Sequence, residues 1–501
     1  MVKYRRWLFP ALLILLGALA LRLVRLNSLP IFADESIYIR WAQIMRAEPT
    51  LRFVSLSDGK QPLYMWAVIP FFKVISDPLI AGRVLSALCG LGTLVGVFAA
   101  AQVLFKRPAV SFLAALIWAV LPYAVFFERM ALVDPMLNLF IVWTFVFSAL
   151  ALIHSRWDLA MLAGFSLGFA YLTKSPALFS FFLVPCSLLL VNLRSKSPLQ
   201  LIKQGALILT TYIIALAMYN ILRLGPEFNM LASRTQDYYY PLSEVIRHPW
   251  SPLLPHLQDD LSFFAYLLTP FGLLLSLLGI FIGKFDRWRP RLILVAWAFL
   301  PVLAQSAVAI SLTARYLLFS VPFMVILAAW AISYLWHHFR PLLARLLLVA
   351  VVLPSLAVDF LFLFAIQSAP LPRIERSGYL EQWTAGTGLR QVADQLKIYA
   401  RKGPVLVGSE GYFGTPFDAL QLYLNSQTNV RVIGVGVWIN SVSDKLTNAL
   451  ADNQVFLVVN SSRFHADYHQ LGLKLLASYP KAVAPDGSRE SLLFFQVLPT
   501  K

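Results

Sequence analysis

Long apolar runs recur along most of the first 370 residues, and they constrain the fold more than any other feature of the sequence. A helix needs roughly 20 apolar residues to cross the hydrocarbon of a bilayer. With 59% hydrophobic and only 13% charged residues, the chain has more apolar surface than a soluble core could bury. We therefore predict an α-helical polytopic membrane protein with about eleven transmembrane helices. The runs lie near residues 7–26, 79–105, 109–127, 135–153, 157–173, 177–193, 205–222, 261–283, 292–311, 315–336 and 346–367.

The positive charges follow the spans. A net charge of +17 suggests nucleic acid at first, but Lys and Arg occur in short runs between apolar segments and form no single basic face. When the spans alternate, the basic runs fall on one side, as the positive-inside rule requires. We therefore predict a plasma or inner membrane protein with a cytoplasmic N-terminus. The basic runs on that side lie at residues 3–6, 106–107, 156, 194–203, 284–291 and 340–345.

The other side receives two long loops, residues 27–76 and 223–260, and everything after about residue 368. The apolar segment 62–75 is too short to cross and contains prolines, so it fits an interfacial helix. After Gly403, short β-rich runs alternate with polar helical stretches, which is typical of a small α/β domain. We predict a transmembrane module over residues 1–368 and a soluble extracytoplasmic α/β domain over residues 369–501.

Adjacent carboxylates follow the first span, at Asp34 and Glu35. Two acids at a membrane surface repel each other unless they meet a cation, a metal or a transferable proton. They are therefore our first candidates for a catalytic site. The alternative is that Asp34 serves only as the N-cap of a helix from Glu35 to Ala47.

A third acid, Asp134, ends a short turn between two apolar spans on the same predicted side. An acid at the mouth of a helix bundle is a candidate functional residue, although Asp134 before Pro135 also fits a helix N-cap. Three cations, Arg129, Lys174 and Arg315, lie on that side, where each also fits a snorkelling residue at a span end. Together, these acids and cations suit a phosphate-bearing lipid and a hydroxyl acceptor.

The same segments resemble those of polytopic glycosyltransferases of the GT-C class. The resemblance is strongest to family 39, which includes protein O-mannosyltransferases and the bacterial lipid A aminoarabinose transferase. The matching segments are FADESIYIRWAQ, KQPLYMW, ERMALVDPMLNLF, YLTKSP and ARYLLFSVPF, spread over roughly the first 340 residues. One segment departs from the pattern: relatives carry His or Lys immediately before the proline, whereas here Gln61 is there and Lys60 precedes it.

The resemblance implies an enzyme that moves a sugar from a polyprenyl-phosphate-linked donor to a hydroxyl of a lipid, glycan or protein on the non-cytoplasmic side. It implies a catalytic carboxylate at Asp34, with Glu35 beside it, and a second acidic position at Asp134. A single displacement with Asp34 as general base predicts inversion at the anomeric carbon, and cations stabilise the departing phosphate. The predicted phosphate ligands are Arg315, Lys174, Arg129 and Lys60, and the other loop candidates are Gln61, Tyr64 and Tyr316.

The predicted partners are this donor, its acceptor and the bilayer, with no nucleic acid. A divalent metal between Asp34 and Asp134 fits the two acids, but no His cluster at metal spacing supports it. The alternative function is a transporter or lipid flippase with charged residues along its path. Transport sites lie near the midplane on broken helices, whereas these charges gather at one predicted face, which favours the enzyme.

Overall fold

The structure is a computed structural model that describes residues 2–283 and 288–499, with side chains from Trp7 onward. Lys284 and Arg287, which the topology prediction uses, lie outside the described residues, as do the side chains of Lys3, Arg5 and Arg6.

The chain is mostly helical, with strands concentrated near its C-terminus. The α-helices are α1 (Val2–Leu23), α2 (Ala33–Ala47), α3 (Leu63–Val68), α4 (Pro78–Phe105), α5 (Pro108–Val120), α6 (Pro122–Glu128), α7 (Asp134–His154), α8 (Trp157–Thr173), α9 (Leu178–Leu183), α10 (Pro198–Tyr219), α11 (Met230–Ser233), α12 (Leu242–Arg247), α13 (Trp250–Leu267), α14 (Pro270–Phe281), α15 (Trp288–Val308), α16 (Val321–His338), α17 (Pro341–Phe364), α18 (Arg373–Arg376), α19 (Leu389–Ala400), α20 (Phe417–Leu424) and α21 (Asp444–Thr447). The strands are β1 (Ile31–Phe32), β2 (Ala385–Gly386), β3 (Val405–Glu410), β4 (Val430–Gly436), β5 (Gln454–Asn460), β6 (Leu473–Pro480) and β7 (Ser491–Val497).

Six helices among the described residues are long and apolar enough to cross a membrane, or up to eight spans if each of two bent pairs forms one. The pairs are α5 with α6, bent by 54°, and α13 with α14, bent by 111°. Pro122 and Pro270 begin the second helix of each pair, and proline interrupts a helix because it lacks the N–H group. Several predicted spans are shorter apolar helices here, so the total of about eleven stays a prediction.

The chain divides into two compact units. We call the first the membrane unit, because it contains most of the long apolar helices. We call the second the sheet unit, because it contains the strands. The membrane unit comprises Met1–Leu26, Pro49–Ala67 and Arg83–Pro370, and the sheet unit comprises Asn27–Glu48, Val68–Gly82 and Leu371–Lys501.

The core of the membrane unit is built around α16, in which every residue from Val321 to Ser333 is buried. Phe323 of this helix packs against Phe145 and Trp297, with ring centroids 5.4 and 5.2 Å apart. Gly279 of α14 approaches α16 so closely that a Cβ atom would lie 2.2 Å from the Leu327 carbonyl oxygen. Glycine is therefore required for this helix contact.

The sheet unit holds a five-stranded sheet in the order β4-β3-β5-β7-β6. Strand β3 pairs in parallel with β4 and β5, whereas β7 pairs antiparallel with β5 and β6. All six residues of β3 are buried, as is typical of a central parallel strand. The predicted helical membrane protein with a small C-terminal α/β domain is confirmed, and residues 27–48 and 68–82 belong to the same compact unit.

A buried polar network ends the central strand of this sheet. The Glu410 carboxylate accepts hydrogen bonds from the Asn460 main-chain N–H at 2.7 Å and side-chain amide at 2.6 Å. Lys481 donates to the Asn460 side-chain oxygen at 2.6 Å. Burial raises the pKa of Glu410 to about 7 and lowers the pKa of Lys481 to about 8. These contacts fix the end of β3 next to β5.

Candidate active site

Asp34 and Glu35 lie in the first turn of α2, within the sheet unit. The N-cap of this helix is Phe32, so the alternative that Asp34 caps the helix is wrong. Glu35 stabilises the helix start instead, because its carboxylate accepts a hydrogen bond from the Phe32 main-chain N–H at 3.0 Å. Glu35 is fully buried, whereas Asp34 is only partly buried. The two neighbouring acids therefore have different environments, and Asp34 is the less buried of the two.

A cavity in the membrane unit brings together segments that lie far apart in the sequence. Four of the predicted site residues line it, namely Lys60, Gln61, Lys174 and Tyr316. The cavity combines cations, amides, hydroxyls and aromatic rings, a mixture that suits a phosphate-bearing ligand with an apolar part. Other polar and aromatic residues of its wall are Ser175, Arg234, Thr235, Tyr238, Tyr239, Gln305 and Ser311.

Lys174 and Asp134 form an ion pair beside this cavity, with Nζ 2.6 Å from the carboxylate oxygen. The Asp134 side chain is 3% exposed and the Lys174 side chain 21%. Asp134 is the first residue of α7 and Val133 is its N-cap, so Asp134 is not the cap that the alternative predicted. Burial lowers the pKa of Lys174 to about 8; Asp134 opposes the shift, and the charges of Arg315 and Lys60 add to it. The positive charges of Arg315 and Lys60 therefore act on Lys174.

Lys60 and Gln61 extend the cavity wall on the side of the loop that precedes α3. The Lys60 ammonium donates a hydrogen bond to the Tyr238 hydroxyl. The Gln61 amide donates to the Ser175 hydroxyl at 2.7 Å, next to Lys174. The shift of the lysine by one residue in KQPLYMW therefore does not remove it from the cavity.

Arg315 and Tyr316 lie in a 3₁₀-helix, Ala314–Ser320, between α15 and α16. Two cations lie near the Tyr316 ring, with the Lys174 ammonium 4.1 Å and the Arg315 guanidinium carbon 5.3 Å from its centroid. Arg315 is 7% exposed and, unlike Tyr316, does not line the cavity.

Two predicted site residues are placed elsewhere in the membrane unit. Arg129 is fully buried and donates to the carbonyl oxygens of Leu21, Val24 and Arg25 at 2.7, 2.8 and 3.0 Å. It holds the chain at the end of α1, and its predicted role in binding the donor phosphate stays a prediction. Tyr64 is also fully buried, with its hydroxyl 3.0 Å from that of Ser86, and does not line the cavity.

The long loop of residues 223–260 also contributes to the cavity, which the sequence did not predict. Tyr238 and Tyr239 line the cavity, and Tyr238 accepts the Lys60 hydrogen bond across 178 residues of sequence. The run of three tyrosines at residues 238–240 was a visible signal, because amphipathic rings gather where a lipid phosphate meets water. Gln305 was not visible as a candidate, since it lies inside an apolar helix.

Within residues 2–283 and 288–499, no group of three or more His, Cys, Asp or Glu is arranged to hold a metal ion. The predicted metal ligands, Asp34 and Asp134, belong to different units. A metal shared between them stays a prediction.

Comparison with known proteins gives a family match and a set of similar structures, including two of the same protein. Residues 47–227 match the family model described as dolichyl-phosphate-mannose-protein mannosyltransferase, a segment that includes Lys60, Asp134 and Lys174. No curated protein matches the sequence. The crystal structure of ArnT from Cupriavidus metallidurans bound to undecaprenyl phosphate has a TM-score of 0.60 at 16% identity, covering 96% of this chain and 97% of that chain. The structure of the same protein in the apo state has a TM-score of 0.59 at 16% identity, covering 97% of each chain.

These matches confirm two predictions. The GT-C fold extends over nearly the whole chain, and the family resemblance holds over residues 47–227.

Proposed function

We propose that this chain is a membrane glycosyltransferase that moves a sugar from a polyprenyl-phosphate-linked donor to a hydroxyl acceptor. The observation that carries the proposal is the cavity in which Lys60 and Lys174 face the same space, with Asp134 paired to Lys174. The family match over residues 47–227 and the ArnT-like fold support it. One ArnT structure holds undecaprenyl phosphate, the class of carrier that we propose for the donor.

The cavity suits the phosphate part of the donor. Lys60 and Lys174 supply ammonium groups, and Arg315 adds a third positive charge 5.3 Å from the Tyr316 ring. Charge-assisted hydrogen bonds to phosphate are roughly twice as strong as neutral ones. The same cations stabilise the phosphate as it departs, so this leaving group needs no proton from a general acid.

The reaction is a single displacement at the anomeric carbon. The bond from this carbon to the phosphate oxygen breaks as the bond to the acceptor oxygen forms, and the acceptor proton passes to a carboxylate. We assign this base to Asp34, on the family resemblance and because its side chain is less buried than that of Glu35, whose carboxylate is engaged at the helix start. The product is inverted at the anomeric carbon.

We place the reaction on the non-cytoplasmic side and the N-terminus in the cytoplasm, because the basic runs fall on one side of the alternating spans. A reporter that fluoresces only in the cytoplasm, fused after Lys501, is expected to stay dark. A bright fusion would reverse the orientation.

The transporter alternative is not favoured. The family model describes a mannosyltransferase, and one similar structure holds undecaprenyl phosphate. In this chain the Lys174–Asp134 pair lies where α8 ends and α7 begins. A transport site would instead lie near the middle of broken spans.

The test of the enzyme is Asp34→Asn, which keeps the size of the side chain and removes its ability to take a proton. Turnover is expected to fall by roughly two to four orders of magnitude, the usual contribution of a general base. The measurement is transfer of radiolabelled sugar in membranes, with a panel of polyprenyl-phosphate sugars as donors.

The matched control is Asp452→Asn, which removes an exposed carboxylate from the same unit. It is expected to retain the parent turnover at equal membrane level. Turnover of Asp34→Asn within a few-fold of the parent would defeat the base assignment.

A further inference from the structure

A second polar space lies in the sheet unit and shares no lining residue with the cavity of the membrane unit, which we call the donor cavity. It is a cleft of about 660 Å³ between the end of α2, the segment 72–78, α19 and the end of α20. Its polar lining includes Gln43, Arg46, Asp77, Arg390, Lys397 and Asn425. None of these residues has a role in the proposed transfer reaction.

The cleft carries more positive than negative charge, with three cations and one acid, Asp77, in its wall. Arg390 forms an ion pair with Asp77 and lies over the Tyr423 ring at 4.8 Å from the centroid, which fixes its guanidinium. Lys397 pairs with Asp394, whose side chain is 62% exposed. Arg46 is exposed and donates to the Phe72 carbonyl across 3.4 Å. Arg46 and Lys397 therefore remain able to turn toward an anion in the cleft.

The cleft also lies at the start of a candidate membrane span. Pro78 lines it and is the first residue of α4, a helix long and apolar enough to cross a bilayer. Phe72 and Ile75 line its apolar side, and the neighbouring Val74 is 80% exposed. An exposed valine beside the start of a span fits contact with lipid, since water would leave this surface unfavourably hydrated.

We infer that this cleft binds the phosphate-bearing headgroup of an anionic membrane lipid. The phosphate lies between Arg46 and Lys397, next to Arg390, and the Asn425 amide N–H2, whose oxygen accepts from Arg40 at 2.6 Å, meets the rest of the headgroup. The acyl chains extend past Phe72 and Val74. The site is independent of the donor cavity and does not require the proposed transferase activity.

The test measures binding of short-chain phosphatidic acid to the full-length protein in detergent by calorimetry. The double variant Arg46→Gln with Lys397→Gln removes the two cations proposed to hold the phosphate and spares the Arg390–Asp77 pair. Loss of two charge-assisted contacts is expected to weaken binding roughly ten- to hundredfold. The matched control, Arg401→Gln with Lys402→Gln, removes two exposed cations outside the cleft and is expected to bind as the parent does.

Two further ligands distinguish the source of the phosphate. Short-chain phosphatidylcholine, which carries no net charge, is expected to bind much more weakly than phosphatidic acid. Inorganic phosphate that competes at equal concentration would show a site for the free anion and overturn the lipid assignment. Equal affinity of the double variant and the parent for phosphatidic acid would overturn the site itself.

Discussion

The membrane unit contains two clusters of charged residues that the sequence makes look alike. In the core cluster, the Arg22 and Glu128 side chains are fully buried and 2.5 Å apart, and Arg22 also donates to the Ala119 carbonyl at 2.9 Å. In the cavity cluster, Lys174 is 21% exposed and contacts the side chains of Asp134 and Tyr316. Both clusters pair a cation with an acid near the end of a helix.

The difference lies in what the cations contact. Arg22 and Arg129 donate to main-chain carbonyls at helix ends, which holds the chain in place and leaves no ligand-facing surface. Lys174 and Lys60 contact side chains at the edge of an open space. Lys60 and Lys174 are therefore the stronger candidates for ligand binding, because they lie at the cavity.

Glu128→Ala is the change that tests the core cluster most severely. It leaves the Arg22 guanidinium buried without its carboxylate, and breaking a buried pair in this way costs about 3–5 kcal/mol. We expect a large loss of folded protein in the membrane, measured by fluorescence-detected gel filtration after solubilisation. Asp158→Ala, which breaks an exposed pair with Arg156, is the control and is expected to change little. Similar losses for both variants would contradict a structural role for the core cluster.

Lys174→Met tests the cavity cluster, because it keeps the apolar stem and removes the charge. Affinity for undecaprenyl phosphate is expected to fall roughly ten- to hundredfold, the value of a charged hydrogen bond. The variant also leaves Asp134 buried without its partner, so it is compared with Lys174→Met combined with Asp134→Asn. We expect the second change to restore the folded level and not the affinity. Recovery of affinity as well would show that the pair is structural.

A smaller effect is expected from pH. Because burial lowers the pKa of Lys174 to about 8, its ammonium is charged below that pH and loses its proton above it. Donor affinity should therefore weaken as pH rises from 7 to 9, by up to about tenfold. Lys174→Arg keeps its charge over this range and should give a flat profile. Equal profiles for the parent and the arginine variant would remove Lys174 as the titrating group.

Much of the fold follows from the sequence alone. Runs of about 20 apolar residues predict helices that cross a bilayer, and Lys and Arg on one side predict how these helices alternate. Both signals can be read from short segments, because the membrane constrains each span separately. The strands β3, β4 and β5 were predicted from β-rich runs, which are also a local signal. Asp134 and Lys174 were identified separately, one as a second acid and the other as a phosphate ligand, because both lie at span ends on one predicted side.

Only the tertiary structure separated the roles of these charges. Arg129 and Lys174 are both cations at the end of a span, yet one donates to the carbonyls of α1 and the other meets Asp134 at a cavity. Lys60 reaches Tyr238 across 178 residues. Such contacts depend on how helices pack over long sequence separations, and side-chain periodicity carries no information about which helices become neighbours.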